Sequence, residues 1–207
     1  MTVLATDWDK YARNSSSPLI RTHYFFSVYR NYIHLLHRLP ISPGKLLEIG
    51  SSTGQISLRL VLRYQLSPTL VDTSDIALTF ADQLYRSRGI SPTLINKDVL
   101  RLDLNRKFDL VHSHGLLEHF PEALLKKAFH NHVKHLQQKG WLVCWVPTPD
   151  IFYRINRWYL ENTGQWIFGY EKPITLDHFL SLFRQENLII RRVRHMPGWV
   201  GVAAQSP

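Results

Sequence analysis

The stretch Leu46-Leu47-Glu48-Ile49-Gly50-Ser51-Ser52-Thr53-Gly54 decides how this chain folds. An apolar run closes on an acid, passes through a small-residue turn and opens into an amphipathic segment at 53–65. That order describes a buried strand feeding a tight loop into a helix. Such a loop lets backbone N–H groups approach a ligand, with the positive end of a helix behind them. The loop is therefore read as a small-molecule site.

Outward from it, strand-like runs at 45–49, 69–72, 93–96, 108–113 and 141–146 alternate with helical periodicity at 53–65, 75–88 and 121–138. Strands separated by helices predict a parallel sheet covered on both faces. Leu110-Val111 and Trp141-Leu142-Val143-Cys144-Trp145-Val146 are apolar without alternation, as burial on two sides requires. Upstream, 19–39 reads as an aromatic-rich amphipathic helix (Tyr24, Phe25, Phe26, Tyr29, Tyr32) stopped by Pro40 and the turn Ser42-Pro43-Gly44. Downstream, 147–173 reads as an irregular aromatic insertion. A helix at 175–187 follows, then strands at 188–195 and 199–204 around the turn Pro197-Gly198. No repeat or linker interrupts the chain. The expected organisation is one domain over 1–207: a helical cover at 1–44, a ligand-binding core at 45–146, a lid at 147–173, and a C-terminal helix with two strands at 174–207.

Composition sets the bounds. With 207 residues, 44% hydrophobic and 20% charged, the chain has material for one sizeable core. No apolar run reaches the roughly 18 residues that span a bilayer. The segment from Met1 to Lys10 lacks the basic and apolar regions of a secretory signal. The single Cys144 excludes an intrachain disulfide, and a reducing cytoplasm fits best. A net charge of +9 favours acidic partners, although the positive residues are dispersed apart from short clusters such as Arg191-Arg192-Val193-Arg194.

Three acids punctuate the alternation at strand ends: Glu48, Asp72 and Asp98. Ligands of open α/β sheets bind outside the carboxyl ends of the strands, so the acids share one edge with the small-residue loop. Asp72 follows Glu48 by 24 residues, which suits a carboxylate accepting both ribose hydroxyls of a nucleoside. A dinucleotide fingerprint fails, because Ser52 and Gln55 stand where its second and third glycines belong. A phosphate loop of the Gly-Lys-Ser/Thr type fails as well, since Gln55 follows Gly54.

What the segment resembles is the first motif of class I S-adenosylmethionine-dependent methyltransferases of the small-molecule type, matched at Glu48, Gly50, Ser52 and Gly54. Serine replaces the middle glycine, and a positive φ there would cost stability. The run from Val71 to Leu78 resembles the second motif, which implies Asp72 on the ribose and Thr73 beside adenine. Lys97-Asp98-Val99 resembles the third, implying Asp98 on the adenine amino group. Phe108 to Phe120 is similar to the fourth strand and its loop, Gly140 to Pro147 to the fifth, and Ile174 to Phe179 to the late helix. The resemblance implies a Rossmann-like three-layer α/β sandwich: a mostly parallel seven-stranded sheet with a C-terminal antiparallel hairpin. It implies S-adenosyl-L-methionine as cofactor, held by Glu48, Gly50, Ser51, Ser52, Gly54, Asp72, Thr73, Asp98, Val99, Ser113 and His114. Tyr11, in the segment Trp8 to Ala12, resembles the part of the family that covers the cofactor.

The activity implied is methyl transfer to an oxygen, nitrogen or carbon of a small, apolar or aromatic acceptor. The protein's task is to orient and desolvate that acceptor. His119 and then His114 are the candidate bases, because the loop after the fourth strand faces the transferred methyl and an imidazole accepts a proton at neutral pH. Packing or hydrogen bonding is the competing reading of both. Some ubiquinone-pathway O-methyltransferases carry Glu-x-x-Glu-His on this loop as a metal site. Here Gly115 replaces the first acid, leaving Glu118 and His119, and no metal is expected. Glu48, Asp72 and Asp98 have an alternative reading as caps. His130, His132 and His135 read as a helix face rather than a metal cluster, and His112 as a core histidine. The aromatic insertion reads either as a lid over the acceptor or as packing at the sheet edge. A nucleic-acid methyltransferase, with Arg21, Arg30, Arg38 and the 191–194 cluster along a groove, is an alternative that is not favoured. A non-catalytic cofactor-binding partner is another.

Overall fold

The computed structural model describes residues 6–15 and 28–207. The first part of the helix expected at 19–39 lies outside the described residues, with Arg21, Tyr24, Phe25 and Phe26. Two N-terminal helices are described, α1 (Trp8–Ser15) and α2 (Arg30–Leu36). The core then alternates: β1 (Gly44–Ile49), α3 (Gln55–Tyr64), β2 (Leu66–Asp72), α4 (Asp75–Arg86), β3 (Thr93–Asn96), β4 (Phe108–His114), α5 (Glu122–Lys134) and β5 (Leu136–Pro147). The chain continues through α6 (Ile151–Asn162), α7 (Leu176–Gln185), β6 (Ile189–Met196) and β7 (Trp199–Gln205). Short 3₁₀ turns follow β3 and β4, at Val99–Arg101 and Leu117–His119.

The seven strands form one sheet in the order β3-β2-β1-β4-β5-β7-β6. The first five run parallel, and β7 pairs antiparallel with both β5 and β6. This is the expected mostly parallel sheet with a reversed hairpin. Period-two alternation sends Leu47, Val71, Val111, Leu142 and Cys144 to a core completed by Phe129 of α5 and Phe179 and Phe183 of α7. Their neighbours Leu46, Leu70, Leu110, Val143 and Trp145 face the opposite core with Tyr32 of α2, Leu58 of α3 and Tyr85 of α4. Burial on both faces is why these strands lack a polar alternation, and it makes the three layers.

Three differences from the sequence reading stand out. α5 ends at Lys134, before the expected 138, because the chain already enters β5 at Leu136, which pairs with Phe108. The segment 147–173 is not irregular throughout, since it contains the three-turn helix α6, opened by Asp150 accepting from the Tyr153 N–H at 2.9 Å. The three histidines near the end of α5 part company. His130 bonds Glu186 at 3.0 Å, whereas the buried His132 and His135 bond back to the carbonyls of Ala128 and Asn131 at 2.8 and 2.6 Å. His112, fully buried, bonds Ser57 Oγ at 2.6 Å and is a core histidine as read.

Candidate active site

Strand order reverses between β1 and β4, which pair in parallel from Leu46↔Leu110 to Glu48↔His112. A crevice at such a reversal, beyond the carboxyl ends of the strands, is where a ligand fits. A cavity of about 670 Å³ occupies that place. Among the sequence candidates, Glu48, Gly50, Ser51, Ser52, Asp72, Thr73, Asp98, Val99, His114 and His119 line it.

Two candidates do not. Ser113 is buried in the sheet, and strand alternation gives the cavity its neighbour His114 instead. Gly54 packs away from the cavity, where a Cβ would lie 2.8 Å from Leu70 Cδ1. Its left-handed φ of 66° opens α3, which is what the position requires of it.

The turn itself is held by backbone. The N–H groups of Gly50 and Ser51 donate to the Val71 carbonyl at 2.9 and 3.0 Å, tying β1 to β2. Ser52 has a φ of 46°, the left-handed conformation anticipated as costly for a residue other than glycine. Its N–H donates to Asp72 Oδ2 at 2.7 Å, which holds it there. Ser52→Gly removes the Cβ strain and keeps that bond. We expect it to raise unfolding stability by up to about 1 kcal/mol. A urea midpoint that stays level or falls would show that the strain is not at Ser52.

Asp72 also accepts from the Ser74 N–H at 2.9 Å, so the turn and the start of α4 are both anchored on one carboxylate. Burial raises its pKa against the pull of those N–H groups. Each oxygen retains a second lone-pair direction for a ligand hydroxyl. Asp98 caps the 3₁₀ turn through the Leu100 N–H at 2.8 Å while lining the cavity, so the capping and ligand readings coincide. Glu48 is 3% exposed, and burial pushes it up to about 8. Its Oε1 lies 3.8 Å from the Nε2 of His112, itself driven down to about 3 by burial, so the two face each other uncharged. Glu48 Oε2 and Ser51 Oγ have no hydrogen-bond partner among the described residues. Buried polar atoms left this way are costly unless a ligand satisfies them.

The N-terminal segment lies over this half. Asp9 of α1 accepts from the Ser74 hydroxyl at 2.5 Å, and Ser74 in turn caps α4 through the Ala77 N–H. Tyr11 lines the cavity, and burial with the nearby Glu118, Asp72 and Glu171 pushes its phenol up to about 12. It therefore remains a donor at neutral pH.

The other half is aromatic. Trp8 meets the His119 ring edge-on at 4.9 Å, Phe168 lies 5.5 Å from it, and His114 stacks on Trp199 at 4.6 Å. The lid aromatics divide. Tyr153, Trp166, Phe168 and Tyr170 line the cavity, whereas Phe152, Trp158 and Tyr159 on the outer side of α6 are more than half exposed. Burial drives His114 down to about 3 and lowers His119. His119 Nδ1 sits 3.0 Å from the Tyr170 carbonyl, a contact that requires Nδ1 to carry the proton and leaves Nε2 as an acceptor.

Sequence reasoning passed over two residues of this half. Glu118 is 2% exposed with Oε2 unpartnered among the described residues, and Glu171 accepts from the Tyr153 hydroxyl at 2.9 Å. Glu118 had been weighed only as the remnant of a metal motif. Its position next to His119 was the available signal.

Residues 46–140 match the family model described as a methyltransferase domain. No protein of curated function matches the sequence significantly. Among solved structures, the chain is similar to an S-adenosylmethionine-dependent methyltransferase from Clostridium acetobutylicum, at 15% identity and a TM-score of 0.69 over 96% of this chain and 98% of that one. It is similar to the N-methyltransferase NodS of Bradyrhizobium japonicum, solved with S-adenosyl-L-homocysteine, at 19% identity and 0.65 over 94% and 91%. It is also similar to magnesium protoporphyrin IX methyltransferase of Synechocystis, solved with the same product, at 13% identity and 0.73 over 97% and 94%.

Proposed function

We propose that this chain, whose residues 46–140 match a methyltransferase-domain family model, transfers the methyl group of S-adenosylmethionine to a nucleophilic atom of a small acceptor with an aromatic or apolar body. The observation that carries this reading is the shared cavity. One wall is the Glu48–Ser52 turn with Asp72, Thr73 and Asp98, and the other is Trp8, His119, Phe168 and Trp199. Glu48 Oε2, Ser51 Oγ and the spare lone pairs of Asp72 are the groups a nucleoside carrying an amino acid would satisfy, so the residues fit the cofactor. Bound there, S-adenosylmethionine supplies an electrophilic sulfonium methyl with a neutral thioether as leaving group.

The chain's own work is positioning, exclusion of water and removal of a proton. Asp72 and Asp98 hold the nucleoside. The aromatic wall takes the acceptor out of water, and Nε2 of the neutral His119 receives the acceptor's proton.

The 191–194 basic cluster has a structural use that needs no nucleic acid. Arg191, Arg192 and Arg194 lie on β6, the strand at the end of the sheet, where charge blocks unwanted strand addition. Each is already engaged, with Gln205 Oε1, the His34 carbonyl and Asn31 Oδ1 respectively.

Calorimetry tests the cofactor half. S-adenosylhomocysteine is expected to bind and NAD to give no heat. Asp72→Ala weakens S-adenosylhomocysteine by about 1–3 kcal/mol through lost charge-assisted hydrogen bonds. An unchanged dissociation constant removes Asp72 from the site. The acceptor half is tested by labelled methyl transfer to host metabolite, lipid and RNA fractions, with label expected in a small-molecule product and not in RNA.

A further inference from the structure

The acceptor half of the cavity contains two carboxyl groups and little to balance them. Glu118 is 2% exposed, its Oε2 has no partner among the described residues, and its Oε1 lies 3.8 Å from His119 Nε2. Glu171 lines the same space, and its carboxyl accepts from a neutral phenol, that of Tyr153. The guanidinium beside them offsets Glu171 only in part and bonds neither carboxyl group. Arg157 donates to Glu161 Oε1 at 2.8 Å, to the Tyr153 hydroxyl and to the Glu171 carbonyl at 3.0 Å, and it stacks 4.6 Å over Trp166. Lys97 lines the cavity from the end of β3, on the nucleoside side.

Two acids are thus sunk in an otherwise strongly basic protein, walled by Trp8, Trp166, Phe168 and Trp199. Burial raises both carboxyl groups, and the nearby Glu171 raises Glu118 further. A phenol offers Glu118 Oε2 a single neutral O–H, and an apolar acceptor leaves it buried and unsatisfied. An anionic acceptor makes it worse. A cation supplies N–H donors, restores the carboxylate charge and gains from the electron-rich ring faces.

We propose that Glu118 and Glu171 form a cation subsite, and that the acceptor is an amine on an aromatic or alkyl body, bound as its ammonium ion. This rests on the methyl-transfer reading above. The ammonium gives one proton to His119 Nε2, and the resulting imidazolium is faced by the Glu118 carboxylate. The freed amine lone pair forms the new N–C bond as the methyl–sulfur bond breaks with its pair to sulfur. The products are an N-methylammonium and the neutral thioether, so charge and protons balance.

The test is acceptor binding, measured by calorimetry in saturating S-adenosylhomocysteine. The probes are benzylamine, 2-phenylethylamine and 3-phenylpropylamine, each against the alcohol and the carboxylate of matching length. At least one ammonium is expected to bind about tenfold or more tighter than its alcohol, and the carboxylates not at all. Glu118→Gln and Glu171→Gln should each erase that preference while S-adenosylhomocysteine affinity holds, which also reports an intact fold. Amines that bind no tighter than their alcohols overturn the proposal, as does a preference that survives both substitutions. If Glu118→Gln impairs S-adenosylhomocysteine binding, Glu171→Gln and the wild-type preference decide. Absence of S-adenosylhomocysteine binding to the wild type sinks the cofactor reading itself, a separate and recognisable result.

Discussion

His119→Ala lowers kcat by about 10²–10⁴-fold while leaving S-adenosylhomocysteine affinity unchanged, the loss expected of a general base. The geometry singles out this histidine of the two candidates. The Tyr170 carbonyl fixes the Nδ1 proton at 3.0 Å, so Nε2 meets the cavity as an acceptor, and Trp8 and Phe168 hold the ring in place. His114 also lines the cavity, but burial drives it to about 3, which makes it a far weaker base at neutral pH. Burial lowers His119 too, opposed by its bond to Tyr170. The neutral, active form therefore persists below the ordinary histidine pKa of about 6.5, and the acid limb of kcat should fall at a pH lower than that. Steady-state kinetics with the acceptor found by the labelled screen measure both quantities. Full activity in the alanine variant discards His119 as the base.

The second large effect is on stability in acid. His112, His114 and His132 are held neutral by burial down to about 3, 3 and 4. In the unfolded chain each takes a proton below about 6.5. Between those limits the unfolded state holds more protons, so stability falls as pH falls. Glu48, raised to about 8, and Glu118, raised well above its ordinary value, act oppositely. They remain protonated in the fold where the unfolded chain has ionised them, so lowering the pH toward about 4.5 relieves their cost. Between pH 6.5 and 4.5 the two acids offset two of the three histidines, which leaves a slope of up to about 1.4 kcal/mol per pH unit. Below about 4.5 the acids have nothing further to contribute, while His132 continues to about 4 and His112 and His114 to about 3, each with a slope of up to about 1.4 kcal/mol per pH unit. Urea midpoints are therefore expected to fall gently down to about pH 4.5 and more steeply beneath it. A midpoint that stays level between pH 4.5 and 3.5 would contradict the neutral burial of these imidazoles.

The parallel core was legible because local sequence and tertiary role agree there. Thr93–Asn96 is the strand expected at 93–96, and Glu48, Asp72 and Asp98 all come to the same cavity because parallel strands end on one edge. The helix α6 was passed over although Ile151, Phe152, Ile155, Trp158 and Tyr159 recur at helical spacing. Ile151, Phe152, Ile155 and Trp158 point outward while Tyr153 and Leu160 turn to the cavity, so the apolar stripe is the exposed face and does not report what the helix buries. Asp150 before Ile151 was the start signal available for it. Which of two adjacent strand residues meets a ligand was equally hidden. Ser113 and His114 differ by one step of the pleat, and only the packing shows that His114 has the cavity side. Depth is the other missing quantity: the neighbouring His119 is visible in the sequence, but not that the Glu118 carboxyl is buried.

Strand order carries a consequence for how the chain is made. β6 precedes β7 in sequence but touches the sheet only through it. On the ribosome β1 to β5 can pair as they emerge, yet the edge of β5 from Trp141 to Pro147 stays open until β7 arrives to cover it. That edge is almost wholly apolar, and for the time needed to synthesise some fifty more residues it is an unprotected template for another chain. The most aggregation-prone moment in the life of this protein thus falls before its last strand is released.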